Sequence, residues 1–174
     1  PSEFGIYLSL IKTNNLHVKK GVEYEVSIKG SKNASLKTLY DEFLKLIKNS
    51  KEPVNLIDIY THFSKQPFGV KIGVLPLLTT IFFKISEGTC ALYNKDEQGR
   101  ESLVTEFDQK IAERLYHLPE TLKIMFVKIE GEKQKILDEF KTYVETKFLD
   151  KKPIENATPL YVLKPIVVNA YKLP

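Results

Sequence analysis

The stretch "VKIGVLPLLTTIFFKI", residues 70–85, constrains this chain more than any other. Its only polar side chains are Lys71, Thr79, Thr80 and Lys84. A helix that is apolar on every side belongs inside a protein core. Pro76 is compatible with a helix only in its first turn, so the spacing predicts a start near Gly73 or Val74. Leu77, Leu78, Ile81 and Phe82 are then expected to be nearly fully buried. Two helices are predicted upstream. Leu36, Leu39, Tyr40, Phe43, Leu46 and Ile47 recur at helical spacing behind Ser35, the expected cap. "NLIDIYTHFS" gives a short helix over Asn55–Ser64, closed by Pro67, with Gly69 permitting a sharp turn. Downstream, residues 89–93 and "ESLVT" flank the turn-rich "NKDEQG" and read as a β-hairpin. Three helices followed by a hairpin is the order of a winged helix, and the apolar helix stands where a DNA-reading helix would stand.

The flanks are simpler. Phe4, Tyr7, Leu8, Leu10 and Ile11 predict a helix behind Ser2, and "VEYEVSIKG" alternates as a half-buried strand. Thr105 with Asp108 resembles a capping box for a helix through about Tyr116. "TLKIMFVKI" reads as a third strand. "EGEKQKILDEFKTYVETKF" reads as a helix with Ile136, Leu137, Phe140, Tyr143, Val144 and Phe148 on one face. "KKPIENA" reads as a linker. Thr158 and Pro159 then open a last helix that Pro165 should kink. The expected fold is mainly α with a small β-sheet, an α+β class. It has an N-terminal helix and strand over 1–34, a winged-helix-like core over 35–129, and C-terminal helices over 130–174.

With 43% hydrophobic residues the chain can bury a sizeable core. No run of eighteen apolar residues exists, so no membrane span is expected. The N-terminal stretch lacks the pattern of a signal peptide. The single cysteine, Cys90, excludes an internal disulfide framework and fits a reducing compartment, so the expected location is cytoplasmic.

Charge argues against base reading. The net charge is +4, yet Arg100 and Arg114 are the only arginines. Residues 53–105 carry five basic and five acidic side chains, so the helix-turn-helix region is neutral. Residues 74–83, "VLPLLTTIFF", offer only two threonines to a groove, whereas base edges are read by Arg, Asn, Gln or Lys. The candidates for phosphate contact are Lys71, Lys84, and Lys95 and Arg100 on the wing, opposed by Asp96, Glu97 and Glu101. Nucleic-acid binding, if present, is expected to be weak, salt-sensitive and indifferent to sequence.

Catalytic chemistry is not visible. The sequence contains no G-x-x-x-x-G-K-[ST] phosphate loop, no G-x-G-x-x-G and no G-x-S-x-G elbow. His17, His62 and His117 are far apart, and His62 carries Asp58 one turn before it, a weak half-site at best. His117 falls at a predicted helix end, where a cation meets the dipole favourably. Cys90 in an apolar strand reads as an inert thiol. The expectation is no catalytic residue, no cofactor and no metal site.

"QPFGVKIGVLPLLTTIFF" followed by "CALYNKDEQGRESLVTEFDQKIAERLYHLPETLKI" resembles a segment of large bacterial ATP-binding proteins, P-loop ATPases of restriction or phage-defence type. The likeness rests on Pro67, Phe68, Gly69, Gly73, Pro76, Leu77, Leu78, Ala91, Leu92 and Tyr93, and on the ending "NAYKLP"; it is strongest over residues 56–118. The resemblance implies an internal piece of a longer protein with its ATPase elsewhere. The expected function is a non-catalytic interaction or coupling module whose partners are other domains of that protein or a protein partner. The alternative is a winged-helix nucleic-acid-binding domain that touches the phosphate backbone without reading sequence.

Overall fold

The computed structural model describes residues 5, 7–20, 23–86, 88–127, 131–149 and 162. It is mostly helical with two small sheets, as expected for an α+β chain. The chain divides into two compact units, Pro1–Glu87 with Leu92–Met125, and Gly88–Ala91 with Phe126–Pro174.

In the first unit the N-terminal segment winds as a π-helical turn over Tyr7–Lys12 rather than as the regular helix anticipated. Backbone bonds five residues apart hold it: the Thr13 amide donates to the Leu8 carbonyl and the Leu16 amide to the Ile11 carbonyl, each at 3.0 Å. Thr13 and Asn14 add side-chain bonds to the carbonyls of Leu8 (2.7 Å) and Leu10 (2.8 Å), competing with a regular helix end. Ser2 and Phe4 lie outside the described residues. Leu16 is completely buried and leads into β1 (His17–Lys20). β1 pairs antiparallel with β2 (Glu23–Val26), setting His17 opposite Val26 and Lys19 opposite Tyr24. "HVKK" carries no alternation, so β1 was not predicted; pairing with β2 makes it a strand.

The helix α1 (Ala34–Asn49) is capped by Asn33, not Ser35. Asn33 is extended and its Oδ1 accepts from the Leu36 amide at 3.0 Å, whereas Ser35 lies inside the first turn. β3 (Val54–Asn55) runs directly into α2 (Leu56–Ser64), whose cap is Asn55. After a cis Gln66–Pro67 bond and Gly69 at φ +60°, a 3₁₀ turn over Ile72–Val74 enters α3 (Leu75–Ile85), with Pro76 in its first turn. The helix therefore starts one or two residues later than predicted, because the Val74 amide already bonds to the Lys71 carbonyl in the tighter turn. Leu78, Ile81 and Phe82 are buried as predicted. Leu77 is only half-buried, and Leu75 and Thr79 take inward positions instead. The Phe82 ring meets those of Phe43 and Tyr40 from α1, at 5.5 and 5.4 Å between centroids.

β4 (Cys90–Lys95) and β5 (Glu101–Leu103) form the expected hairpin, turning at Gly99 with φ +81°. α4 (Gln109–His117) is capped by Asp108 rather than Thr105; the Asp108 Oδ1 accepts from the Ile111 amide at 2.9 Å. Asp108, immediately before the helix, is placed to reach that amide, so the anticipated fourth residue of the box is itself the cap. β6 (Leu122–Phe126) follows a 3₁₀ turn. The sheet order is β3-β6-β4-β5, with Val54 opposite Ile124. β6 thus lies between β3 and the hairpin. Phe43, Ile47, Leu56, Ile59, Leu115 and Ile124 form the buried centre of this unit.

In the second unit, α5 (Glu132–Phe148) buries Leu137 and Val144 against Val162, with Phe140 and Leu149 beside them. Ile136 and Tyr143 are exposed, contrary to the single apolar face predicted. Neighbouring positions such as 136 and 137 differ by about 100° around a helix, so the two heptad rows cannot both point inward at a narrow contact. The linker expected at "KKPIENA" and the last helix from Thr158, with its kink at Pro165, lie outside the described residues apart from Val162. No described helix is long and apolar enough to cross a membrane.

Candidate interaction surfaces

One face of α2 presents Ile57, Tyr60, Thr61 and Ser64, the i, i+3, i+4, i+7 row of a helix. With Ile72, Gly73 and Pro76 at the entry to α3, Tyr116 at the end of α4, and Pro119, this row lines a groove of about 150 Å³. Its polar atoms are satisfied internally. The Thr61 hydroxyl donates to the Ile57 carbonyl (2.8 Å), Ser64 to Thr61 (3.0 Å) and Tyr60 to Leu115 (3.1 Å). Burial pushes the Tyr60 hydroxyl far above the ordinary phenol value, so it stays a neutral donor. What remains open is apolar: Ile72 is 69% exposed and Tyr116 55%, with Ile57 also exposed. Sequence reasoning missed this groove because it assembles residues from α2, α3 and α4.

The four candidate phosphate contacts do not converge. Lys71 precedes the 3₁₀ turn and Lys84 sits in the last turn of α3, so roughly 15 Å of helix separates them. Lys95 ends β4 and Arg100 closes the hairpin turn, so these two are brought together. Asp96 gathers three donors at that turn, the amides of Gln98 and Arg100 at 2.9 Å and the Arg100 Nε at 2.8 Å. The bond from the Arg100 amide, then that from its side chain, holds the Asp96 carboxyl below the usual carboxylate range. Arg114 of α4 donates from Nη1 to Asn94 Oδ1 (2.8 Å) and to the Lys95 carbonyl (3.2 Å), and Lys123 pairs with Glu101. Arg100, Arg114 and Lys123 are thus engaged with carboxylates, a side-chain amide and a carbonyl.

The histidines fall into separate settings. His17 lies between two tyrosines: Tyr7 Oη is 2.8 Å from its Nδ1, and the Tyr24 ring is 4.0 Å away between centroids. The carboxylate beside His62 is Glu42 of α1, 3.3 Å from Nε2, an inter-helix neighbour that sequence spacing did not reveal. His117 ends α4 and Cys90 is half-buried in β4. Among the described residues, no three His, Cys, Asp or Glu side chains stand close enough to share a metal ion.

Among the described residues the fold is of the α+β class, with an apolar groove lined by α2, α3 and α4 and two antiparallel ribbons. Comparison of the chain with family models, with curated proteins and with solved structures finds no match.

Proposed function

We propose that this chain is a non-catalytic interaction or coupling module on a winged-helix-like frame, working within a larger bacterial ATP-binding protein of the restriction or phage-defence type. The groove between α2, the entry of α3 and the end of α4 carries the reading. The space in the groove, about 150 Å³, is on the scale of one aromatic ring. The groove is therefore suited to one large apolar side chain from a neighbouring domain or protein partner, with Ile72 and Tyr116 as its rim. The resemblance around Pro67, Gly69, Gly73 and Pro76 supports the larger context, since the same loop that builds the likeness also builds one wall of the groove.

The alternative reading is phosphate-backbone contact through Lys71, Lys84, Lys95 and Arg100. The ion pair of Arg100 with Asp96 and the spread of Lys71 and Lys84 favour the groove reading over it. A photo-crosslinking residue placed at Ile72, compared with one at exposed Lys37, tests the proposal in cells that make the full-length protein. A discrete adduct at position 72 with a further domain of the same protein or with one partner, lost on Tyr116→Asp, is expected. Equal labelling from both positions overturns the groove reading. Nucleotide turnover by the isolated chain that one point mutation abolishes overturns the non-catalytic assignment.

A further inference from the structure

We infer that the β1–β2 ribbon is a stacking platform for single-stranded nucleic acid, with Tyr24 receiving a base and Lys19 the adjoining phosphate. The inference is independent of the groove and concerns a different surface. Tyr24 is 59% exposed although its ring rests on His17, 4.0 Å away at an interplanar tilt of 36°. A ring that is supported on one side and open on the other presents the π-face that an unpaired base stacks on. His17 is itself oriented, because its Nδ1 shares a hydrogen bond of 2.8 Å with the Tyr7 hydroxyl. The platform is therefore set before a ligand arrives, which lowers the ordering cost of binding.

Charge selects the partner. Lys19 stands directly opposite Tyr24 in the ribbon register and is exposed. Residues directly opposite in an antiparallel pair share a face, whereas Glu25, next to Tyr24 along the strand, belongs to the other face. Residues 7–32 carry five lysines against two glutamates, and Lys12, Lys29 and Lys32 are also exposed. This local excess contrasts with the neutral balance of residues 53–105. A polyanion whose π-faces are free satisfies both the ring and the lysines; a duplex keeps its bases stacked and offers only phosphates. Recognition by stacking is tolerant of sequence, in keeping with an α3 that has no side chains for base edges.

The test is fluorescence anisotropy of the whole chain with a labelled oligothymidylate, a duplex of equal length and heparin as competitor, over a salt series. The single strand should bind more tightly than the duplex and resist heparin better. Tyr24→Ala should weaken single-strand binding roughly 5- to 100-fold, and Tyr24→Phe should preserve it. Lys19→Ala should reduce the slope of log affinity against log salt by about 0.7. Circular dichroism melts show whether each variant is folded; should Tyr24→Ala fail to fold, Tyr24→Leu serves in its place and should show the same loss. Equal affinity for duplex and single strand, full displacement by heparin, parent-like binding by a folded Tyr24→Ala or Tyr24→Leu, or no binding at low salt overturns the inference.

Discussion

The two antiparallel ribbons of this protein, β1–β2 and β4–β5, are alike in size and opposite in the use of their side chains. In β4–β5 several charges near the turn are answered within the protein. Asp96 takes three donors, Arg114 ties Asn94 and the Lys95 carbonyl to α4, and Glu101 meets Lys123. In β1–β2 the chief contacts are aromatic, with Tyr7, His17 and Tyr24 in a row and Lys19 opposite the exposed ring. A basic residue in a hairpin is therefore a weak indicator of ligand contact until its neighbours are known. Arg100, the more conspicuous cation in the sequence, is engaged by Asp96, while Lys19, which nothing in the sequence singled out, lies beside an open aromatic surface.

The largest effect that can break this contrast is the loss of either ribbon's anchor. Leu16 leads into β1 fully buried and Leu92 is buried in β4. Leu16→Ala and Leu92→Ala should each destabilise the fold by about 2–5 kcal/mol in urea denaturation. A negligible cost for Leu16→Ala alone would mean that the N-terminal ribbon is not docked on the core.

A smaller effect sharpens the difference. Arg114→Ala removes two charge-assisted hydrogen bonds and should cost about 1.5–3 kcal/mol by the same measurement. Lys19→Ala should stay within about 0.5 kcal/mol, as for a surface residue away from structural bonds. Similar values for the two variants would erase the distinction between a braced hairpin and an open one. Next, His17→Ala should cost roughly 0.2–1 kcal/mol, the worth of a cross-strand aromatic pair, read as a small drop in melting temperature.

The smallest effect is a local one with pH. Because the folded Asp96 carboxyl titrates below its ordinary value of 3.8, its contribution is present above that value and is lost as pH falls through the lowered one. The NMR amide shifts of Gln98 and Arg100 should move together over that acid range. Asp96→Asn should abolish the movement while leaving the signals of β1–β2 in place. Movement that persists in Asp96→Asn would assign the titration to another group.

Much of the element order was legible because periodicity and punctuation agree along the chain. Pro76 and Gly69 placed α3 to within two residues, and "NKDEQG" marked the turn between β4 and β5. The errors have local causes. At the starts of α1 and α4, several residues able to cap stand near one another, and backbone conformation decides among them: Asn33 over Ser35, Asp108 over Thr105. β1 was hidden because "HVKK" becomes a strand only through its partner. The surfaces were less legible than the elements. The groove joins Ile57 to Tyr116, and the tyrosine–histidine row joins Tyr7 to Tyr24; neither juxtaposition exists until the chain has turned back on itself.

Asn33 does more than begin α1. While its Oδ1 accepts from the Leu36 amide, its Nδ2 donates to Asn14 Oδ1 at 2.8 Å, and the Asn14 amide group holds the Leu10 carbonyl. Two side-chain amides in series thus join the end of the π-helical turn to the first turn of a helix nineteen positions later. We predict that this relay couples the opening of the two ends. Hydrogen exchange at the Leu36 amide would then follow the release of the N-terminal segment, and the first turn of α1 would report on events in a ribbon it does not belong to.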